Sequence, residues 1–273
     1  VTAPLTADPL REAFRGSALV VHCAGIVRAA SERGFAAVNI DGTRAAVEAA
    51  NTVGARFVQI SSLAAGGTGT AHRPRREGDP DRPVNAYGRS KLAGDRLVRS
   101  LAKTPWTIIR PCAVYGPGDR GFLPLFQAAR RGIFVSPTSR AVPFSFIDVR
   151  DLARAIVAAA VSDAALGQTF YVGHPVPRTS DDVITTLAAI FDTPARRWTI
   201  PRPLVYAAAR LGDLAWKVNR PLVIDSSRYQ ELFAEGFVCS SEAIRDRVGF
   251  VAEVSLADGF AHARRWYEAQ GWL

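Results

Sequence analysis

Arg56-Phe-Val-Gln-Ile-Ser-Ser62, Asn85-Ala-Tyr-Gly-Arg-Ser-Lys-Leu-Ala-Gly-Asp-Arg96 and Trp106-Thr-Ile-Ile-Arg-Pro111 follow one another along this chain, and their order decides the fold. The first and third are short apolar runs closed by polar or proline residues, the pattern of strands buried in a sheet. The second opens on asparagine, a residue that starts helices. Strand, helix, strand is the unit from which a parallel sheet covered by helices is built. On that helix Tyr87 and Lys91 are four residues apart and share a face. Ser61 and Ser62 end the first strand, Ser62 lying 25 residues before Tyr87. A hydroxyl, a phenol and an ammonium brought together make a proton-transfer site for an alcohol or a carbonyl. A free phenol titrates near pH 10, and a neighbouring cation favours phenolate, so Lys91 is expected to pull Tyr87 toward neutrality. Tyr-x-x-x-Lys alone arises by chance in many helices, so the flanking sequence carries the weight.

Working outward, the pattern predicts strands over 19–23, 57–61, 107–110 and 169–172, an extended stretch over 142–147, and helices over 36–53, 87–101, 121–131, 149–161, 180–191 and 204–218. Asp181 and Asp182 sit at the positive end of the helix that opens at Ser180. Past residue 175 the chain turns helical and irregular, and neither an internal repeat nor a low-complexity linker divides it.

Five phrases in this order carry a resemblance: Val20-Val-His-Cys-Ala-Gly25, Asn39-Ile-Asp-Gly-Thr43, the Ser61-Ser62 strand end, Tyr87-Gly-Arg-Ser-Lys91, and Phe146-Ile-Asp-Val-Arg-Asp-Leu-Ala-Arg154. The chain resembles the extended short-chain dehydrogenase/reductase superfamily, which holds nucleotide-sugar epimerases, dihydroflavonol reductases and 3β-hydroxysteroid dehydrogenases. The resemblance runs from about Asp8 to the C-terminus. It implies an α/β fold, a Rossmann-like doubly wound parallel sheet with a small C-terminal substrate lobe. It also implies a cofactor-binding part over 1–175, with 116–142 contributing to the substrate side, and a substrate lobe over 176–273. NAD or NADP is the implied cofactor, a small molecule the substrate, and a homodimer a possible assembly. By the resemblance Tyr87 is the acid/base, Lys91 lowers its pKa and bonds the nicotinamide ribose, and Ser62 orients the substrate oxygen, with Ser61 the neighbouring candidate. Cys23, Ala24, Gly25 and Asn39 lie along the cofactor, and Pro111 with Val114 flanks the nicotinamide. Asn39 and Asp148 equally suit a purely structural part, stitching loops and capping.

The family also carries Gly-x-x-Gly-x-x-Gly after its first strand, where bare backbone lets a helix N-terminus approach the pyrophosphate. That motif is missing here. Gly66-Gly-Thr-Gly69 follows the serine strand and is expected to be an active-site loop. The expectation is an N-terminally incomplete member, with residues 2–16 as the loop and helix that follow the family's third strand; the rival is an atypical protein that lost its cofactor half and is no enzyme. In either case β-edge exposure at 19–23 invites aggregation. The choice between NAD and NADP rests on a residue outside this sequence.

Among branches, Ser62-Leu-Ala64 stands where sugar 4,6-dehydratases carry Thr-Asp-Glu, so the extra acid and base are absent and that chemistry is not expected. Arg110-Pro-Cys112, Gly116-Pro-Gly-Asp119, Phe122-Leu-Pro-Leu-Phe126 and Trp266-Tyr-Glu-Ala-Gln-Gly-Trp272 resemble the hydroxysteroid dehydrogenase and dihydroflavonol reductase branch. A dehydrogenase or reductase of an apolar secondary alcohol or ketone is expected, with nucleotide-sugar epimerisation the alternative. Trp216, Tyr229, Phe233 and Phe237 either line an apolar pocket or pack as core.

Composition sets the outer limits. The 273 residues are 48% hydrophobic, and 34 basic against 25 acidic side chains give a net charge of +9. Only Lys91, Lys103 and Lys217 are lysines; the arginines are spread along helices at amphipathic spacing, which argues for solvated faces and against nucleic acid. Arg73-Pro-Arg-Arg76 and the acids after it read as a solvated loop or, less simply, an anion contact. Cys23, Cys112 and Cys239 are an odd, scattered set, expected as reduced thiols of a cytoplasmic protein. The four histidines are scattered too, giving no metal site, and His22 reads as a core residue. The apolar stretch 153–166 is interrupted by Arg154 and Asp163 and is too short to span a bilayer.

Overall fold

The computed structural model describes residues 4–136, 140–217, 222 and 224–273. The chain enters through α1 (Ala7–Ala13) and β1 (Leu19–His22). A continuous helical rod follows, made of α2 (Glu32–Phe35), a π-helical turn over Ala36–Asp41 and α3 (Gly42–Val53). Then come β2 (Arg56–Ile60), α4 (Leu63–Gly66), α5 (Ala86–Leu101), β3 (Trp106–Pro111), β4 (Ala113–Tyr115), α6 (Leu123–Arg130) and β5 (Ile133–Ser136). The remainder runs β6 (Pro143–Phe144), β7 (Phe146–Asp148), α7 (Val149–Val161), β8 (Gln168–Val172), β9 (Arg178–Thr179), α8 (Ser180–Phe191), β10 (Arg196–Thr199), α9 (Arg202–Lys217), α10 (Ser226–Leu232), α11 (Glu242–Val248) and α12 (Leu256–Ala269). Of the expected helix 204–218, Val218 lies outside the described residues.

Among the described residues the main sheet is four-stranded, ordered β1-β2-β3-β8 and parallel throughout. Strand neighbours point to opposite faces, so each of the two central strands feeds two cores. Phe57 and Ile108 join Val20, Leu10, the alanines of α3 and Val98 on one face. Val58 and Ile109 join Leu152, Ala155 and Ala159 of α7 and Ile244 of α11 on the other. Phe57, Ile108 and Ile109 have no exposed surface. Burial of side chains of this size stabilises by about 1.5–3 kcal/mol each. A third core gathers Tyr115, Phe126, Phe134, Leu187, Phe260 and Tyr267 from β4, α6, β5, α8 and α12. Its rings meet edge to face, Tyr115 and Phe260 at 4.8 Å and Phe126 and Tyr267 at 5.1 Å.

The charged loop before α5 is a built piece of the fold rather than a solvated one. The Glu77 carboxylate accepts from the Tyr171 N–H of β8 at 2.9 Å. Arg75 lies in register with Cys239, its N–H donating to the Val238 carbonyl at 2.8 Å while Ser240 N–H donates to the Arg75 carbonyl at 2.9 Å. The glycines just upstream permit the crossing. A Cβ on Gly66 would fall 1.8 Å from the Tyr171 hydroxyl oxygen, and Gly67 has φ of +104° with the Arg82 carbonyl pressed against its Cα. Gly66-Gly-Thr-Gly69 thus marks a backbone crossing rather than an open active-site loop.

Under that loop Arg110 is almost fully buried. Its guanidinium donates to Asp95 at 2.9 Å, to both Asp81 oxygens at 2.6 and 3.1 Å, and to the Tyr171 hydroxyl at 2.9 Å. Two carboxylates and a phenol therefore neutralise and satisfy one buried cation.

Candidate active site

Helix α5 is started by Asn85, whose side-chain oxygen accepts the Gly88 N–H at 2.8 Å. The first turns then carry Tyr87, Ser90 and Lys91 inward toward the ends of β1 and β2. Ser62 leaves β2 in extended conformation and caps α4, accepting the Ala64 N–H at 3.1 Å. The same hydroxyl stands by the Tyr87 phenol, close enough to favour its charged form. Lys91 Nζ donates to the Ile60 carbonyl at 2.7 Å, at the C-terminal end of β2. The expected serine, tyrosine and lysine are thus brought together at one end of the sheet.

Cys23-Ala24-Gly25 continues from β1 past Lys91. A Cβ on Gly25 would come within 3.2 Å of Asn39 Oδ1 and 3.5 Å of Lys91 Nζ, so the loop backbone lies close against both side chains. Asn39 is buried and fully used: Oδ1 accepts the Ile26 N–H at 2.8 Å, and Nδ2 donates to the Ile26 carbonyl and to Ser90 Oγ, each at 2.9 Å. These bonds stitch the loop at Ile26 to Ser90 of α5. The π turn is where the rod carries Asn39, and it was not foreseen, because a helical periodicity read over 36–53 does not reveal a local change of pitch. Asp148 caps α7 through the Arg150 N–H at 2.9 Å. Cys23 is an exposed free thiol, and Pro111 and Val114 lie at the end of β3 and in β4, Val114 packed on the sheet core. Ser61 turns its hydroxyl into the interior beside Asp95.

Electrostatically the site departs from the expectation for Tyr87. Burial pushes the phenol up to about 12; Glu231 and Asp95 push the same way, and the Ser62 hydroxyl opposes them. Lys91 is not among the groups that shift it; its ammonium donates to the Ile60 carbonyl at 2.7 Å. Burial also lowers the Lys91 pKa, with Asp95 and Cys23 holding the charge in place. Asp95 itself is raised by burial and pulled back by Arg110, Ser61 and Lys91. His22, stacked on Phe57, is held down to about 4 by burial and by Lys91, confirming a neutral core histidine.

Two residues of the site escaped sequence reasoning. Asp95 stands four residues after Lys91 on the same helical face, a signal that was there to read. Glu231 of α10 accepts from Asn85 Nδ2 at 2.7 Å, a contact across 146 residues with no local signature. The aromatic residues of the C-terminal part do not converge: Phe237 stacks on Phe144, Tyr229 and Phe233 meet at 4.6 Å beneath Arg202, and Trp216 lies under Arg28. A cavity of about 230 Å³ opens elsewhere, walled by Gly173, Cys239, Ser241, Arg245 and Phe250. Among the described residues no cluster of three metal-ligating side chains occurs, and no helix is long and apolar enough to cross a membrane.

Fold and site together define a Rossmann-like α/β protein of the extended short-chain dehydrogenase/reductase type. The profile of the NAD dependent epimerase/dehydratase family matches residues 3–173, and the chain belongs to that family. It is 34% identical over 265 residues to a ceramide reductase of Caulobacter vibrioides, spanning 95% of this chain and 77% of the relative. It is 30% identical over 208 residues to a UDP-glucose 4-epimerase of Vibrio cholerae, spanning 70% of this chain and 62% of that one. Among solved structures, MoeE5 in complex with UDP-glucose and NAD superposes with a TM-score of 0.80 at 20% identity, over 99% of this chain and 85% of the other. The chain is thus an enzyme of this type, in an NAD-dependent family.

Proposed function

We propose that the protein is an NAD(P)-dependent oxidoreductase that interconverts a secondary alcohol and a ketone on an apolar, lipid-like substrate, with Tyr87, Ser62 and Lys91 as its proton-transfer site. The observation that carries this reading is the convergence of Ser62, at the end of β2, with Tyr87 and with Lys91 one helical turn on, whose ammonium donates to the Ile60 carbonyl at the same strand end. The residues fit the nicotinamide-ribose half of the cofactor: Lys91 Nζ has donors beyond the one given to Ile60, and the bare Gly25 backbone lies against it. NAD(P), when bound, supplies or accepts the hydride.

The chain's own residues handle the proton. At neutral pH a phenol held near 12 is protonated, so Tyr87 stands ready to donate to the oxygen of a carbonyl as negative charge develops there. Ser62 donates a hydrogen bond to that oxygen and fixes its distance from Tyr87. Lys91 supplies positive charge beside the site. The substrate class draws support from the ceramide reductase, the similarity to which extends over nearly the whole chain.

The test is nicotinamide oxidation by the purified chain with long-chain ketones, wild type against Tyr87→Phe. Loss of kcat by about 10²- to 10⁴-fold with NAD(P)H binding retained is expected. Turnover of a UDP-sugar without net oxidation would favour epimerisation instead. A folded chain that binds neither nicotinamide would overturn the reading.

A further inference from the structure

Helix α9 has two apolar faces, and among the described residues only one is packed. Val205, Ala209 and Gly212 turn inward, Gly212 so tightly that a Cβ would lie 1.9 Å from the Ile224 carbonyl oxygen. Leu204, Ala207, Leu211 and Leu214 recur at helical spacing on the other side, and the three leucines are 60%, 61% and 57% exposed. Just upstream, the parallel register of β5 with β10 sets Val135 beside Trp198, and both point outward, Trp198 64% exposed. Single exposed apolar residues are ordinary; a leucine stripe next to an outward tryptophan is not.

We propose that this surface docks the C-terminal lobe onto a lipid bilayer bearing anionic headgroups. Charge argues for that occupant. Arg196, Arg197, Arg202 and Arg210 fall within this stretch against one acid, Asp213; Arg210 pairs with Asp213 and Arg197 with Asp181 of α8, while Arg196 and Arg202 are exposed. Leucine on one side, arginine on the flank and tryptophan at the margin is the composition of a helix lying in a membrane interface. Position argues for it as well. Helix α9 packs on α10, and α10 carries Glu231, which holds Asn85 two residues before Tyr87. The stripe is thus one helix removed from the proposed proton donor, where an apolar substrate leaving a bilayer must arrive. The inference deepens the reading of an apolar substrate and rests on it for its purpose.

Its test needs neither substrate nor nicotinamide, so it fails or succeeds apart from the Tyr87→Phe assay. Purified chain is sedimented with phosphatidylcholine vesicles, with and without phosphatidylglycerol. Wild type is expected to bind the anionic vesicles about tenfold more tightly than the neutral ones, and Leu211→Glu/Leu214→Glu to lose about tenfold or more. Val157→Glu/Val161→Glu alters valines on α7 that are 63% and 74% exposed but lie off the lobe, and should bind as wild type. Circular dichroism verifies that each variant is folded. Equal binding by both double variants would overturn the proposal. So would a wild-type dimer, broken by the leucine variant, with no vesicle binding, which would assign the stripe to a second copy of the chain.

Discussion

Strands β1 and β8 end the same sheet among the described residues, and they are finished in different ways. β8 is sealed: Glu77 takes a backbone N–H, Arg75 threads the neighbouring loop onto residues 238–240, and Arg110 draws Asp81, Asp95 and Tyr171 into one buried network. Among the described residues β1 pairs only with β2, and its outward Leu19 and Val21 are 37% and 38% exposed. The sealed side uses charge, buried and satisfied; the open side leaves apolar residues in water. A sheet edge of the second kind recruits other strands.

The largest effect is expected where the seal is anchored. Arg110→Met would leave Asp95 fully buried without its cation and should cost about 3–5 kcal/mol in urea unfolding. A loss below about 1 kcal/mol would mean the network decorates the β8 side without holding it. Next comes the open strand's histidine. The unfolded chain takes up a proton on His22 near pH 6.5, whereas the fold holds it neutral down to about 4. Stability from this group is complete above pH 6.5 and falls as pH drops toward 4, by about 3 kcal/mol in all. His22→Gln should flatten thermal stability across that window, and an unchanged slope would locate the acid sensitivity elsewhere. The smallest effect on stability, within about 0.5 kcal/mol, is expected for Val21→Lys, yet light scattering on concentrating the protein should fall markedly. Undiminished aggregation would acquit the β1 edge.

The comparison also separates what was legible in the sequence from what was not. β2, β3 and α5 announce themselves through unbroken apolar runs and the Asn85 cap, so the parallel α/β core and the placing of Ser62, Tyr87 and Lys91 on it could be read early. The helix at Val149–Val161 matches its expected limits, because Asp148 caps it and small apolar residues fill its inner face. The seal of β8 was illegible, since Arg73 to Arg82 looks like any solvated loop until Tyr171 and Cys239 are folded beside it. β5 and β10 are four-residue strands from distant segments, with no pattern long enough to notice. Helix α12 was missed despite a plain signal: Ser255 caps it, and Leu256, Gly259, Phe260, Ala263 and Tyr267 repeat at helical spacing. The behaviour of the Tyr87 phenol was out of reach for another reason, since it depends first on burial, and in part on Glu231 from a distant helix.

The contact between Gly66 and Tyr171 constrains how this sequence can drift. A methyl group at residue 66 has no room while a phenol occupies residue 171, so an alanine there becomes admissible only after the ring has lost its hydroxyl or moved. Losing that hydroxyl, however, strips Arg110 of one acceptor. The permitted order of change is therefore from the arginine network outward to the glycine. Lineages that replaced the glycine first would be expected to leave no descendants with this loop intact.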